Sequence, residues 1–164
     1  MGERMALTAR DVMQTEVETV GPELTLPELE RAFMKKRVSG FPVIEGEGRL
    51  VGIISRSDVV RHLTVERSRA EVLSDYYRDG GMGEVPSESL ESIGQQVGAR
   101  VERVPVKEVM LRAVVTVTPD ELLRDVARKL IEHQVHRVPV VDGTRLVGIV
   151  SSLDLVRVLA EEQG

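Results

Sequence analysis

The stretch from residue 11 to 63 is written a second time, in degenerate form, at 108–159. Val12-Met13 returns as Val109-Met110, Thr19-Val20 as Thr116-Val117, Pro22 as Pro119, Leu26 as Leu123 and Pro42-Val43 as Pro139-Val140, each 97 positions on. After a one-residue deletion the offset becomes 96. There Arg49-Leu50-Val51-Gly52-Ile53 matches Arg145-Leu146-Val147-Gly148-Ile149, followed by Ser55 with Ser151, Asp58 with Asp154 and Arg61 with Arg157. A period this long denotes a duplicated domain rather than a solenoid. A unit of ~55 residues lies near the lower limit at which a domain buries a self-sufficient core. The two copies are therefore expected to pack as a pseudo-symmetric intramolecular pair with a groove at the seam.

Each copy reads as strand, helix, strand, strand, helix, an α+β unit. Val17 to Val20 and Val114 to Val117 are expected as short strands. In copy 2 the following helix is marked by Thr118-Pro119-Asp120-Glu121, with Thr as N-cap, Pro at the first helical position and Glu three residues after the cap. Leu122, Val126 and Leu130, with Leu123, Ala127 and Ile131 beside them, then keep one apolar face. Thr25, Glu28, Leu29, Ala32 and Phe33 give a weaker version in copy 1. Two β-rich runs follow, Phe41 to Glu45 and Arg49 to Ile54, joined by a turn at Gly46 to Gly48. Their counterparts are Val138 to Asp142 and Arg145 to Val150. A last helix is expected from Ser55 or Ser151 to about Leu63 or Leu159. The domain reading is a first repeat over 8–63, a helical connector over 64–103 and a second repeat over 104–162. Within the connector, Glu66 to Arg78 is expected as a helix containing the chain's two tyrosines, Tyr76 and Tyr77. Asp79-Gly80-Gly81-Met82-Gly83 is expected to break it, and a further helix is expected from Pro86-Ser87 through Gln96.

Composition narrows the function classes. The 164 residues are 30% charged and 41% hydrophobic, which suits one compact module. With 27 acidic against 22 basic residues and a net charge of −5, no basic stripe favours nucleic acid or an anionic membrane. The absence of cysteine removes disulfide and thiol chemistry and points to a reducing cytoplasm. No apolar run approaches the ~18 residues of a membrane span, so membrane insertion is not expected. Ala6 stands where a myristoylation signal needs Ser or Thr. No cluster with metal-ligand spacing is visible, and Gly80 to Gly83 lacks the Lys-Ser/Thr of a P-loop. His62 and His133 lie at helix ends and are expected to be solvated or capping.

Chemistry concentrates where the last strand of each copy becomes the last helix. Copy 1 reads Gly52-Ile53-Ile54-Ser55-Arg56-Ser57-Asp58 and copy 2 reads Gly148-Ile149-Val150-Ser151-Ser152-Leu153-Asp154. Unpaired N–H groups and the dipole at a helix N-terminus favour an anion. A Ser hydroxyl adds a donor, and a carboxylate one turn on accepts from two vicinal sugar hydroxyls. The combination suits a ribose phosphate. Ser followed three residues later by an acid is equally close to a capping box, which needs no ligand and stabilises by ~1 kcal/mol. Both readings stand at this point, although recurrence at two duplicated positions favours the ligand.

Hydrophobic-Pro-Val followed by Gly-hydrophobic-hydrophobic-Ser/Thr-x-x-Asp, twice and in order, resembles tandem cystathionine-β-synthase-type (CBS) domains. The resemblance covers nearly everything outside 64–103. It implies two β-α-β-β-α CBS repeats packed as a pair; because no nucleophile-base constellation or metal site accompanies the Ser/Asp pairs, enzyme activity, for example nucleotide hydrolysis, and a catalytic cofactor are not expected. It also implies an adenosine-containing regulatory ligand, AMP, ADP or ATP and sometimes S-adenosylmethionine, in clefts between the repeats. Occupancy would be passed to an effector protein of unknown identity, and the pairs would associate as homodimers. In that family the motif Asp holds ribose and the Ser/Thr approaches phosphate, which here implies Asp58 with Ser55 and Asp154 with Ser151. His136-Arg137-Val138-Pro139 matches the form that contacts phosphate. Copy 1 departs from it with Ser39-Gly40-Phe41-Pro42, where Arg56, replaced by Ser152 in copy 2, is expected to compensate. Val38 and Val135 are implied beside adenine. The copy-2 cleft is therefore expected to be the better phosphate site. The alternatives are a structural dimerisation module with empty clefts and an S-adenosylmethionine sensor.

Overall fold

The computed structural model describes residues 6–79 and 98–162. In order, the elements labelled here are α1 (Ala9–Val12), α2 (Leu26–Lys36), β1 (Gly40–Glu45), β2 (Arg49–Ser55), α3 (Arg56–Asp79), α4 (Val106–Val109), α5 (Leu123–Glu132), β3 (Arg137–Asp142), β4 (Arg145–Ser151) and α6 (Ser152–Glu162). The strands form one four-stranded antiparallel sheet of order β1-β2-β4-β3. The chain divides into two compact units that do not coincide with the repeats. The first takes the chain through Thr19, Pro42–Gly52 and everything from Arg112; the second takes Val20–Phe41 and Ile53–Leu111.

In the first unit, α1 and the segment around it complete the core of copy 2. Ala9 is fully buried with Val117, Val126, Leu130, Val138, Val140 and Val150, and Val12 and Met13 pack against this cluster. β3 and β4 run antiparallel from Arg137↔Ser151 to Asp142↔Arg145. β4 alternates in burial from Val147 to Ser151, as a pleated strand with one face covered does, whereas β3 buries Val138, Pro139 and Val140 in succession. The turn between them uses Gly143 at φ 63°, a left-handed conformation that glycine adopts without steric cost.

The helix start expected at Thr118 is displaced. α5 begins at Leu123, one turn later. The backbone of 119–123 is occupied instead by residues 7–10: Ala9 and Arg10 donate N–H to the Glu121 and Pro119 carbonyls at 2.9 Å, and Leu123 N–H reaches the Leu7 carbonyl at 2.8 Å. Thr118 and Glu121 close a turn, and Lys129 holds the Glu121 carboxylate at 2.8 Å. Tertiary partners thus took the groups that a helix would have used.

In the second unit the same signal works as read. Thr25 caps α2, its N–H and hydroxyl donating to the Glu28 carboxylate at 2.8 and 2.7 Å, with Pro27 in the first turn. Leu26, Leu29 and Phe33 form the buried face of α2, and Phe33 stacks on Phe41 at a ring-centroid distance of 5.1 Å. The segment before copy 2 closes this core, with Leu26 N–H on the Val104 carbonyl (3.1 Å) and Val106 N–H on that of Leu24 (2.8 Å). Val104, Val106 and Met110 are buried.

Two further expectations change. Residues 17–20 and 114–117 are not strands; in copy 2 the expected strand shrinks to one parallel bridge, Val117↔Val140, because only Val117 meets β3. The last helix of copy 1 does not stop near Leu63 but continues as α3 to Asp79, absorbing the helix expected over Glu66 to Arg78. No glycine or proline interrupts 56–79, so nothing local ends it. The expected break at 80–83 and the helix over 86–96 lie outside the described residues.

Candidate functional site

The strand-to-helix corner of copy 2 lies entirely in the first unit. β4 ends at Ser151 and α6 starts at Ser152. The Ser151 N–H and hydroxyl both donate to Asp154 Oδ2, at 2.7 and 2.6 Å, and the Asp154 N–H returns to Ser151 Oγ at 3.3 Å. That is a capping box. It consumes one carboxylate oxygen and leaves Oδ1, which accepts from Gln14 Nε2 at 3.1 Å and lies 3.5 Å from the Arg157 guanidinium. Asp154 is 5% exposed, the one buried charged residue among those described. Burial pushes its carboxyl pKa up most strongly. The Ser151 hydroxyl and N–H, Gln14 and Arg157 together outweigh that, and hold it below the ordinary carboxylate value. The corner therefore keeps an ionised acceptor inside the fold.

The remaining copy-2 candidates collect at the same corner. Ser152 N–H, in the first turn of α6, donates to the His136 carbonyl at 2.8 Å, tying the 136–137 backbone to the helix N-terminus. His136 and Arg137 are exposed, and Val135 is half-buried with its backbone N–H on the Leu130 carbonyl at 3.0 Å. Gln14, which sequence reasoning missed, comes from the segment before copy 1. Its backbone exchanges both bonds with Ile149, at 2.9 Å each. Gly148 permits this approach, since a Cβ there would stand 2.6 Å from Met13 Sδ and 3.0 Å from the Gln14 carbonyl oxygen.

The copy-1 corner is built wholly within the second unit and differs in detail. Ser55 N–H and hydroxyl donate to Asp58 Oδ2 at 2.8 and 2.6 Å, and Arg61 reaches Oδ1 at 3.2 Å. Leu111, 56% exposed, occupies the place of Gln14 and makes the same backbone exchange with Ile53. It brings no polar group to the carboxylate. Ser39 is exposed and its carbonyl accepts from Arg56 N–H at 3.1 Å, with Val38 half-buried beside it. The Arg56 guanidinium turns back over the Phe33 ring, 5.5 Å from its centroid, and touches the Phe33 carbonyl at 3.4 Å. In this structure it is engaged there and not with a second cation site for phosphate.

His133 caps α5 as expected, its N–H on the Lys129 carbonyl at 3.0 Å. His62 differs from the solvated reading: its Nε2 is buried without a hydrogen-bond partner. Among the described residues, no group of three or more His, Cys, Asp or Glu is arranged to hold a metal ion, and no helix is long and apolar enough to cross a membrane.

The sequence pattern of the CBS domain family matches residues 9–65 and 106–161. An uncharacterized protein of Methanocaldococcus jannaschii, MJ1426, is 30% identical over 92% of this chain and 89% of its own length. MJ1225 of the same organism is 28% identical over 93% of this chain, which spans 43% of that longer protein. Among solved structures, CBSX2 in complex with AMP aligns with a TM-score of 0.68 at 23% identity, covering 96% of this chain and 98% of that one. The CBS domain pair of protein MJ0100, in complex with 5′-methylthioadenosine and S-adenosyl-L-methionine, aligns at 0.62 with 23% identity and the same coverage.

Proposed function

The chain belongs to the CBS domain family, and from that premise we propose that it is a regulatory module binding an adenine nucleotide, AMP, ADP or ATP, at the Ser151–Asp154 corner. The observation that carries this reading is the Asp154 carboxylate. Its Oδ2 is committed to the cap, while its Oδ1 meets only two exposed, displaceable side chains, Gln14 and Arg157. Capping and ligand binding are then successive uses of one side chain, since the cap orients the oxygen that two ribose hydroxyls would approach. Ser151, the α6 N-terminus, His136 and Arg137 supply donors and positive charge for phosphate. Val135 provides apolar surface for the base.

The copy-1 corner, Ser55 with Asp58, is the weaker site in this account. It has Leu111 in place of Gln14, Gly40 where copy 2 has Arg137, and Arg56 committed to Phe33. Occupancy reaches an effector protein only if the ligand favours one conformation of the module over another. Complexes of similar folds with AMP and with S-adenosyl-L-methionine support an adenosine ligand in general. The choice of a phosphate-bearing one rests on His136 and Arg137. Each unit also presents an apolar helical patch at matching repeat positions: Met34 and Val60 in one, Ile131 and Val156 in the other, all between 57% and 76% exposed. Burial of both patches against a second copy makes the module a homodimer in this reading. A reducing cytoplasm is its setting, in keeping with a chain that contains no cysteine.

Calorimetry with AMP and adenosine on Arg137→Ala tests the ligand assignment. A charge-assisted bond to phosphate contributes about 1.5–3 kcal/mol, so AMP should weaken about tenfold to a hundredfold while adenosine is unchanged. Equal losses for the two ligands remove Arg137 from the phosphate. Failure of both to bind the unaltered chain, with S-adenosyl-L-methionine binding instead, replaces the nucleotide by the sulfonium ligand.

A further inference from the structure

Gln14 reaches the Asp154 carboxylate from the far end of the chain, and both residues lie in the first unit. An ionised carboxylate offers about four lone-pair sites and no donor. The cap fills two of them, both on Oδ2, with the Ser151 N–H and hydroxyl. On Oδ1, Gln14 Nε2 takes a third at 3.1 Å, and the Arg157 guanidinium stands off at 3.5 Å. While Gln14 stays, the acid has room for one ligand hydroxyl. The second of two vicinal hydroxyls needs another partner.

Gln14 has what the acid lacks. A carboxamide carries two N–H donors and an acceptor oxygen, and here one N–H is used; the side chain makes no other hydrogen bond with a described residue. Gln14 is exposed and Asp154 buried, so the amide is the more accessible member of the pair. Its backbone is fixed by the exchange with Ile149 at 2.9 Å each way, which Gly148 permits, so only its side chain is left to adjust. Copy 1 supplies the contrast. Leu111 makes the same exchange with Ile53, at 2.8 and 2.9 Å, with a side chain that neither donates nor accepts. A leucine thus serves the backbone bridge equally well, and what the amide adds is confined to the carboxylate beside it.

We propose that Gln14 is a specificity-determining residue of the copy-2 corner: its carboxamide pairs with one of two vicinal hydroxyls of the ligand's sugar while Asp154 Oδ1 accepts from the other. The proposal rests on the nucleotide reading above and adds to it a requirement for an intact diol. A hydroxyl that donates to the acid keeps its own lone pairs, and the unused N–H of Gln14 supplies the donor that a carboxylate cannot. A site built to hydrogen-bond a hydroxyl rejects the analogue lacking it, because its polar groups are then left unpaired. The exposed amide falls back on water in that case, so its share of the discrimination is smaller than that of the buried acid.

Calorimetric titrations of the full chain and of Gln14→Leu with AMP, 2′-deoxy-AMP and 3′-deoxy-AMP test this. The introduced side chain is the one copy 1 already carries, and Gln14→Met, which keeps the length without the polar end, provides a second variant. Each should weaken AMP about threefold to tenfold, the range of a single neutral hydrogen bond. Each should leave unchanged the deoxynucleotide that lacks the hydroxyl held by Gln14, so the preference for AMP over that ligand shrinks by the same factor. Equal weakening of all three ligands makes Gln14 a support for the backbone or for Asp154 and overturns the proposal. AMP affinity that is unchanged or higher in both variants also overturns it, leaving Gln14 a bystander or a competitor for the acid. Those two results leave the nucleotide reading standing, whereas an unaltered chain that binds no AMP defeats that reading and the proposal together.

Discussion

Replacing Gly148 by alanine perturbs the Ser151–Asp154 corner without removing any polar group. The new methyl carbon would stand 2.6 Å from Met13 Sδ, 3.0 Å from Met13 Cγ and 3.0 Å from the Gln14 carbonyl oxygen. The Met13 tip can swing aside at small cost. The Gln14 carbonyl cannot, because it is backbone held by the exchange with Ile149 at 2.9 Å in each direction. Residues 13–14 must therefore move away from β4, straining two backbone bonds and drawing Gln14 Nε2 from Asp154. Overpacking of this kind costs about 1–3 kcal/mol, and we expect about 2 kcal/mol. With a urea m-value of about 2 kcal/mol per molar, the unfolding midpoint should fall by about 1 M. Gly21→Ala is the control, since a Cβ there meets nothing within 4 Å; its midpoint should be unchanged or slightly higher. A shift for Gly148→Ala no larger than that of the control refutes the packing of residues 13–14 on β4.

Two other outcomes follow from named groups. Asp154 titrates below its unfolded value of about 3.9, so its stabilisation is complete above about pH 4 and is lost as pH falls through the lower folded value. The stability gap between the unaltered chain and Asp154→Asn should accordingly be wider at pH 6 than at pH 3 in urea titrations, and an equal gap contradicts the shift. If the proposed homodimer buries the apolar helical patches, Met34→Glu combined with Ile131→Glu should leave a monomer in light scattering where the unaltered chain is a dimer; a dimer that survives the pair of substitutions places the interface elsewhere.

Much of the fold was legible because duplication supplies an internal comparison. The hairpins 40–55 and 137–151, the glycine turns and the two Ser-x-x-Asp corners follow from local pattern alone. Apart from the last helix of copy 1, which ran on because nothing local ends it, the errors in the elements share one cause, distant chain that competes for local groups or fails to supply a neighbour. Thr118 and Glu121 carry a sound helix-start signal, yet the carbonyls of Pro119 and Glu121 are bonded to residues 9 and 10, and no local reading reveals that partner. Val114 to Val117 has strand propensity but a neighbouring strand only at Val117. At the site, Ser151 and Asp154 could be named while Gln14 could not, because it lies 140 residues from its partner. One signal was available: Gln14 and Leu111 follow equivalent Val-Met pairs, and a polar residue facing an apolar one at a duplicated position marks where the copies diverged. The choice between cap and ligand was not decidable from spacing, because the cap occupies only one oxygen of the Asp154 carboxylate and the same Ser-x-x-Asp spacing serves either use.

The most direct measurement is AMP calorimetry on Asp154→Ala alongside Asp58→Ala, with thermal melts of both. Asp154→Ala should weaken AMP by about tenfold to a hundredfold, beyond any change in melting temperature, and Asp58→Ala should have the smaller effect on affinity. Destabilisation of Asp154→Ala with AMP affinity intact would reduce Asp154 to a helix cap and contradict the sensor.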